Sequence, residues 1–424
     1  MEEEGTMNYW IKQIKIFGIV GILRVVSFLD GRPFYSWLYD GVKCMLQCIP
    51  LTPYKLTDHA TFSLGHASSQ VVLETNRVGY TSKLVFGMAE EPFELLPSPL
   101  PDIRLSRLEN VRIQGNSDFV IVPAEQVVIN DFGFNMDPKY ANVDGALLTQ
   151  KNNLALMRYN GHRVDRTLGS GIMLSGKFSL NYYHELYEIL IKLLLLDGLD
   201  IPAMVPLIID EVVFLVPSFR EVFECLNQSG REVLTIGPKE IVAFDTLYCL
   251  SAVNMIPPFK VDFTDDGLND LFFDLKGTLK MRSRLLTFRS QRAFPKRIFL
   301  SRKSSKNRQY NEAEVIALVS LFGFTVICPE EYDLFDQMAL FQGAECIIGA
   351  SGAAFSNLLF CKEGCRIICF VSRELNIPAF STLAYALNCS MRYCLGTPDS
   401  KDLHAGYTVN LKMLEQMLNE FMKA

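Results

Sequence analysis

Residues 297–302 read Arg297-Ile-Phe-Leu-Ser-Arg302 and open the stretch that decides the fold. It continues through Arg308-Gln-Tyr-Asn-Glu312-Ala-Glu314 and Phe322-Gly-Phe-Thr-Val-Ile-Cys-Pro-Glu330, and it ends with Ile347-Ile-Gly-Ala-Ser-Gly352-Ala-Ala-Phe-Ser-Asn357. An apolar strand delivers basic residues, a helix follows, a second strand ends in a carboxylate, and a third enters a turn of small residues. This order predicts a β-α-β-α-β unit with polar residues at the carboxyl ends of its strands, where ligands bind to open α/β sheets.

A second α/β unit is predicted upstream. The run from Tyr183 to Leu196 is typical of a strongly apolar helix, and residues 205–209 and 212–216 are interpreted as strands. Residues 411–422 are predicted to form a closing helix, and the proline-rich residues 96–101 are interpreted as a boundary within the N-terminal region. We therefore expect an α/β protein with two units in series and a ligand cleft between them.

The charge distribution indicates an anionic ligand. The chain contains 41 Lys and Arg against 47 Asp and Glu, yet residues 275–311 hold twelve basic residues and no acidic one. For residues 276–292 we favour a solvated basic helix face, whereas Arg302 and Arg308 follow an apolar strand and favour anion binding. A nucleic-acid-binding module would rest on this segment alone, and no nucleic-acid partner is expected.

Composition gives an expectation about location. The eleven cysteines are scattered, which argues against a disulfide framework and favours a reducing compartment. The acidic start lacks the basic region of a signal peptide. Residues 8–29 could form an interfacial helix, which would make peripheral membrane contact, or a core helix. We expect a cytoplasmic protein, at the inner face of the membrane in the interfacial case.

A second group of polar residues begins the predicted apolar helix, in the sequence Asn181-Tyr-Tyr-His184-Glu185-Leu-Tyr-Glu188. His184 and Glu188 are four residues apart and share a helix face. Such a pair can deprotonate a hydroxyl, or it can be an ordinary surface pair. Asn181 would lie at the helix start, where its side chain can cap the helix or contact a ligand.

The small-residue turn at residues 349–357 permits two interpretations. Small residues entering a helix leave backbone N–H groups free, and the helix dipole favours a phosphate there. The alternative is tight packing between strand and helix. The chain contains neither G-x-G-x-x-G nor the P-loop pattern G-x-x-x-x-G-K-[ST].

As an ordered set over roughly residues 170–372, these pieces resemble glycosyltransferase family 61. The matching residues are Asn181, His184, Glu188, Ser301, Arg302, Arg308, Asn311, Glu312, Pro329, Glu330, Gln337, Gly352, Ala353, Ala354 and Asn357. Many members of the family carry a histidine before the Gly-Ala turn, where this chain has Ser351. A role for a histidine at that position is therefore not carried over.

The resemblance implies a GT-B-like fold, in which two Rossmann-like domains face a cleft. It also implies an inverting, metal-independent transfer of a sugar from a nucleotide-sugar, expected to be UDP-linked, to a hydroxyl of a glycan or polysaccharide. The resemblance implies that no metal is needed, and no cofactor is expected because the nucleotide-sugar is a substrate. The alternatives are a Rossmann-type nucleotide-binding oxidoreductase and a non-catalytic, glycan-binding family member.

The resemblance also assigns expected roles to residues and segments. Glu188 is the expected base, assisted by His184. The expected donor-binding residues are Arg302, Arg308, Glu330, Gly352, Ala353, Ala354 and Asn357. Residues expected to contact the acceptor or to support the site are Asn181, Asn311 and Gln337. The predicted domains are an N-terminal mixed region with an acceptor or membrane-surface role (1–165), an acceptor-side domain (166–285), a nucleotide-sugar domain (286–395) and a closing segment (396–424).

Overall fold

The computed structural model describes residues 51–65, 70–89, 92–130, 147–151, 154–158, 163–254, 273–303, 307–373, 378–400 and 405–423. The helix predicted at residues 8–29 lies outside these ranges. Within them, no helix combines the length and the apolar character that crossing a membrane requires.

Two mixed sheets and a small two-stranded sheet contain the described strands, which confirms the predicted α/β class. In chain order the strands are β1 Leu51–Thr57, β2 Gln70–Glu74, β3 Arg77–Ser82, β4 Leu95–Leu100, β5 Ile103–Gln114, β6 Val120–Val122, β7 Val127–Ile129, β8 Leu147–Lys151, β9 Leu154–Arg158, β10 Arg166–Leu174, β11 Leu207–Asp210, β12 Val233–Ile236, β13 Ile241–Leu250, β14 Arg297–Leu300, β15 Thr325–Ile327, β16 Cys346–Ala350, β17 Arg366–Ser372, β18 Ser390–Pro398 and β19 Tyr407–Val409.

Helices connect and cover these sheets. The α-helices are α1 His59–Gly65, α2 Tyr182–His184, α3 Val212–Leu215, α4 Pro217–Leu226, α5 Leu275–Leu285, α6 Glu312–Leu321, α7 Leu334–Gly343, α8 Ala379–Ala386 and α9 Leu411–Lys423. A π-helical turn, Glu185–Ile189, and a 3₁₀ segment, Leu190–Leu195, continue α2 into one helical rod, which we call the 182–195 helix. Further 3₁₀ segments are Pro123–Glu125, Leu286–Phe288, Pro329–Glu331 and Ala353–Phe360.

The larger sheet contains a parallel part with the strand order β12-β11-β10-β13. Within this parallel part, β10 comes first in the chain, and β11 and β12 follow on one side of it. The chain then returns to the other side of β10 as β13. The direction of winding therefore reverses between β10 and β13. In open α/β sheets the crevice at such a reversal, beyond the carboxyl ends of the strands, is the usual ligand site.

The N-terminal strands extend this same sheet. β5 pairs antiparallel with β13 over nine residue pairs from Ile241↔Gln114 to Leu250↔Leu105. Strands β6, β7, β1, β9 and β8 follow in that order. The boundary predicted at residue 165 therefore falls inside a continuous hydrogen-bonded sheet, just before β10.

The second sheet has the order β15-β14-β16-β17-β18-β19, in which only β19 is antiparallel to its neighbour. Its winding reverses between β14 and β16. Residues 301–302 follow β14 and residues 351–352 follow β16, so two of the sequence-predicted pieces meet at this reversal.

The two α/β units pack against each other through the 182–195 helix and the 3₁₀ segment Ala353–Phe360. Tyr187 is fully buried, and its Oη donates a hydrogen bond of 2.7 Å to the carbonyl oxygen of Ser356. The hydrophobic cluster around this contact includes side chains from both sheets, among them Ile172 and Ile347. The units therefore share part of one apolar core.

Most of residues 96–101, the predicted boundary within the N-terminal region, form strand β4. β4 pairs antiparallel with β3, and its register sets Pro97 opposite Tyr80 and Pro99 opposite Val78. Residues two apart direct their N–H positions to the same side, so both prolines can occupy the free edge of a two-stranded sheet. Only residues 101–102 separate β4 from β5, where the chain enters the larger sheet.

The strand predicted at residues 212–216 is wrong, because Val212–Leu215 forms the short helix α3. A five-residue apolar run cannot be assigned to strand or buried helix by periodicity alone. The strand predicted at 205–209 is confirmed as β11, and the helices predicted at 183–196 and 411–422 are confirmed as the 182–195 helix and α9.

Candidate active site

The 182–195 helix follows β10 after a turn of residues 175–181. The side chain of Asn181 caps it by accepting a hydrogen bond of 3.0 Å from the backbone N–H of Tyr183, which confirms the predicted capping position. His184, Glu188 and Lys192 follow at intervals of four and are all partly exposed, whereas most of the helix is buried. The helix therefore presents one polar face beside the reversal between β10 and β13.

His184 and Glu188 are in contact, as their spacing predicts. His184 Nδ1 lies 2.9 Å from Glu188 Oε1, and the two side chains retain 14% and 12% of their exposure. The Phe178 ring packs on the imidazole with 4.7 Å between ring centroids. A carboxylate held against an imidazole in a nearly enclosed position can accept a proton from a bound hydroxyl.

The helix departs from α geometry at this pair, because Glu185–Ile189 forms a π turn. Single π turns within helices occur frequently at functional sites. The turn contains Glu185 and Glu188, which face different surroundings: Glu185 is 1% exposed, and Glu188 lies on the polar face.

Glu185 and Asp210 form a buried acidic pair that the sequence did not reveal. Burial, and secondarily the nearby Asp210 carboxylate, raises the pKa of Glu185 well above its usual value. Neither carboxyl oxygen of Glu185 has a hydrogen-bond partner among the described residues.

Asp210, in contrast, is well supplied with donors at the end of β11. It accepts hydrogen bonds from the N–H of Asn116 at 2.7 Å, from Ser175 Oγ at 2.8 Å and from the N–H of Gly176 at 3.1 Å. These bonds tie a β5–β6 loop residue to the turn after β10. Asp210 thereby fixes the turn that leads into the 182–195 helix.

The second part of the site lies at the reversal between β14 and β16. Arg302 Nη1 donates a hydrogen bond of 2.7 Å to the carbonyl oxygen of Ser351, and the N–H of Arg302 is held by Glu312 Oε1 at 2.8 Å. A Cβ atom placed on Gly352 would lie 3.4 Å from Arg302 Nη1, so the guanidinium packs against this glycine. The structure thus brings Arg302 to the small-residue turn.

Ala353 and Ala354 are partly exposed and begin the 3₁₀ segment Ala353–Phe360. The first N–H groups of a helix have no partner within the helix and are available to an anion. Arg302 and these N–H groups therefore lie together at the turn formed by residues 351–354.

Arg308 adds a second cation nearby. Burial and the neighbouring Arg302 cation lower its pKa. Its Nε has no hydrogen-bond partner among the described residues, and its backbone adopts the left-handed conformation with φ of 53°. It lines an open, polar groove of about 360 Å³ together with Tyr310, Asn311, Asp399 and Tyr407. Two repelling guanidinium groups beside a polar groove suit an anionic ligand.

The other sequence-predicted residues lie around this site in different roles. Asn357 is buried, accepts a hydrogen bond from Tyr182 Oη and donates one to Gln337 Oε1. Asn311 exchanges hydrogen bonds with the backbone of Val409 and thereby ties the start of α6 to β19. Glu330 is exposed in the 3₁₀ segment Pro329–Glu331. Asn311, Gln337 and Asn357 are thus held by protein groups.

Several basic residues upstream of Arg302 bind backbone carbonyl groups or acidic side chains. Arg282 Nε and Nη2 donate to the carbonyl oxygens of Leu359 and Cys361, at the end of the 3₁₀ segment Ala353–Phe360. Arg292 pairs with Asp336 at 2.9 Å on the surface. Arg282 on α5 therefore braces the second unit.

Within the described ranges, no group of three or more His, Cys, Asp or Glu side chains is arranged to hold a metal ion.

Comparison with known families identifies residues 182–368 as a match to the family described as Glycosyltransferase 61. The matched segment begins at the 182–195 helix and ends within β17, and it contains both the His184–Glu188 pair and the Arg302–Gly352 contact. Comparison with curated proteins gives no match.

Proposed function

We propose that this protein, whose residues 182–368 belong to glycosyltransferase family 61, is an inverting, metal-independent enzyme that transfers a sugar from a nucleotide-sugar. The family implies glycosyltransferase activity. The proposal adds a UDP-linked donor, a hydroxyl of a glycan or polysaccharide as the acceptor, and a GT-B-like arrangement in which the two α/β units supply opposite walls of the cleft.

One observation carries the proposal. Each α/β unit has a polar group at the reversal of its strand order, and the elements that bear the two groups are in contact. Tyr182 bonds Asn357 at 3.1 Å and Tyr187 bonds Ser356 at 2.7 Å, so the helix with His184 and Glu188 lies against the segment that starts at Ala353. This adjacency supports a base and an anion site that serve one substrate pair.

On the donor side, the leaving diphosphate needs positive charge. Arg302 and Arg308 would offset its charge, and the N–H groups at the start of the 3₁₀ segment Ala353–Phe360 would bind its oxygens. The polar groove beside Arg308 has room for a further part of the donor. Glu330 is proposed to bind donor hydroxyl groups through its carboxylate.

On the acceptor side, Glu188 would accept the proton of the attacking hydroxyl while His184 holds the carboxylate in place. The acceptor oxygen forms a bond to the anomeric carbon, and the bond from that carbon to the nucleoside diphosphate breaks. A single displacement of this kind inverts the anomeric configuration.

A nucleotide-binding oxidoreductase remains a second candidate, because the order β12-β11-β10-β13 corresponds to strands 3-2-1-4 of the six-stranded dinucleotide-binding fold. That reading lacks the G-x-G-x-x-G turn between β10 and the following helix. Retention of Glu188 together with both arginines favours a catalytic protein over a glycan-binding relative.

The test is thermal unfolding of the protein with uridine, UMP, UDP, several UDP-sugars and NAD(H), each with and without EDTA. A ligand that binds only the folded state stabilises it by about 2.7 kcal/mol at one hundred times its Kd. We expect stabilisation by UDP or a UDP-sugar, weaker stabilisation by UMP, none by uridine, and no effect of EDTA. Absence of any response to nucleoside diphosphates would refute the donor site, and a response to NAD(H) alone would favour the oxidoreductase.

A further inference from the structure

Phe178 lies in the turn after β10, outside the family-matched segment, and its ring packs on the imidazole of His184. The two ring centroids are 4.7 Å apart and the ring planes are inclined by 33°. Tyr183 contacts the same imidazole with 5.2 Å between centroids and with the two planes nearly perpendicular, at 84°. An imidazole that is packed by two rings at such different angles has little room to rotate.

The contact with Glu188 does not fix the imidazole by itself. His184 Nδ1 lies 2.9 Å from Glu188 Oε1, yet neither atom has a hydrogen-bond partner of suitable geometry among the described residues. The torsion that turns a histidine ring has only broad preferences, so it does not set the ring plane either. We therefore attribute the orientation of the imidazole to the rings that pack on it.

The turn that carries Phe178 is anchored on both sides of this residue. Before it, the N–H of Lys177 donates a hydrogen bond of 3.0 Å to Asp118 Oδ1. After it, Ser179 Oγ accepts a hydrogen bond of 2.9 Å from Asn116 Nδ2. Asp118 and Asn116 both belong to the loop between β5 and β6. This loop therefore holds the turn, and with it the aromatic ring, in place.

We propose that Phe178 is a positioning residue for the transfer reaction, whose ring keeps the His184 imidazole in the orientation that supports the Glu188 carboxylate. The inference rests on the proposed function, because it assigns Glu188 the role of base. Phe178 acts only through His184 and exchanges no proton itself. A displacement of about 1 Å in a catalytic group can lower a rate by about a hundredfold, so the packing of one ring can matter to turnover.

The test compares Phe178→Leu and Phe178→Tyr with the unaltered protein, using a donor identified in the nucleotide panel. Leucine has no flat face, so the imidazole gains freedom to rotate. We expect turnover of Phe178→Leu to fall by about 10- to 100-fold while UDP affinity stays unchanged. Tyrosine keeps the ring, and Phe178→Tyr should retain most of the turnover.

The NMR signals of the His184 imidazole C–H protons give a measurement that does not depend on turnover. The ring current of an aromatic side chain 4.7 Å away shifts these signals. Phe178→Leu should therefore move them, whereas Phe178→Tyr should leave them near their original positions. The spectrum of His184→Gln identifies them among the signals of the five histidines.

Phe294→Leu is the matched control. Phe294 precedes β14 and also packs on one ring and one cation, since its centroid lies 5.7 Å from that of Tyr332 and 5.0 Å from the guanidinium of Arg292. Its replacement should change neither turnover nor the histidine signals. Unchanged turnover in Phe178→Leu, an equal loss in Phe178→Tyr, or a parallel loss of UDP affinity would overturn the proposal. If the unaltered protein neither binds UDP nor transfers sugar, it is the proposed function that fails, and the imidazole signals still report whether Phe178 orients His184.

Discussion

Tyr182 Oη donates a hydrogen bond to Asn357 Oδ1, 3.1 Å away, and so links the first turn of the 182–195 helix to the second α/β unit. The bond is the start of a chain, because Asn357 Nδ2 donates to Gln337 Oε1 at 2.7 Å and Gln337 Nε2 donates to the carbonyl oxygen of Tyr332 at 2.9 Å. Asn357 and Gln337 are buried, so each member depends on its neighbour for a partner. These hydrogen bonds fix the position of the 182–195 helix relative to the 3₁₀ segment Ala353–Phe360.

Tyr182→Phe should lower the free energy of unfolding by about 1–3 kcal/mol, because the oxygen of Asn357 loses its donor in a buried position. Urea denaturation measures this loss. Tyr385→Phe is the matched control, since Tyr385 Oη donates to the carbonyl oxygen of Met391 entirely within the second unit. Both variants should be destabilised, but only Tyr182→Phe should also change turnover. An unchanged stability for Tyr182→Phe would mean that the link is absent in solution.

Arg308→Gln should weaken UDP binding by about 1.5–3 kcal/mol, the usual contribution of a hydrogen bond to a charged group. The same variant should unfold at an equal or higher temperature without ligand, because burial and Arg302 disfavour the Arg308 cation in the folded protein. Calorimetric titration and thermal unfolding measure the two effects. Arg289→Gln, at an exposed arginine of the same basic segment, should change neither. Weaker binding together with a less stable unliganded protein would assign Arg308 a structural role.

Glu188→Gln should reduce turnover by about 10²–10⁴-fold, the effect of removing a general base, while UDP affinity stays nearly unchanged. The amide keeps the shape of the side chain and removes the proton acceptor. Steady-state kinetics and UDP titration test both statements, with Glu224→Gln, from an exposed pair with Arg220, as the control. If Glu188→Gln is fully active, His184→Ala must be the inactive variant. Activity in both would exclude this pair from the chemistry.

Glu185→Gln should change how stability depends on pH. The pKa of Glu185 is raised well above its ordinary value of 4.5 in the folded protein, so the folded state keeps a proton that the unfolded state has lost above that value. Its contribution to stability is therefore fully present below pH 4.5 and is lost as pH rises toward the folded pKa, by about 1.4 kcal/mol per pH unit. Relative to the unaltered protein, the variant should gain stability between pH 5 and pH 8 in urea denaturation. A difference that stays constant with pH would contradict the buried, protonated state of Glu185.

The sequence predicted those candidate-site residues whose positions follow from helical spacing or from the order of strands and helices. Helical spacing brings His184 to Glu188, and the β-α-β order brings Arg302 to the turn at Gly352. The spacing could not show that Asn357 and Gln337 bond to each other and to Tyr182, because such partners depend on how two units pack. Asp210 was missed for a related reason, since the N–H of Asn116 that it binds lies 94 residues before it in the chain.

The fold was predictable to a similar depth. The alternation of apolar runs and breakers predicted the parallel strands β14, β15 and β16, but not that residues 103–114 pair with β13 across more than a hundred residues of chain. The alternation of residues within each strand does not indicate which distant strand it pairs with. The π turn at Glu185–Ile189 was likewise not predicted from the residues of the helix.

The continuous sheet has a consequence for how this protein can be divided or recombined. β10 lies between β11 and β13 and ends at Leu174, before the family-matched segment begins, while β18 borders β17 and starts at Ser390, after the segment ends. A fragment cut at residues 182 and 368 would expose rows of unpaired backbone N–H and C=O groups on β11, β13 and β17. Residues 182–368, which match the family, are therefore not expected to fold as an independent domain. A chimaera made by exchanging this segment between relatives would need to include the flanking strands β10 and β18.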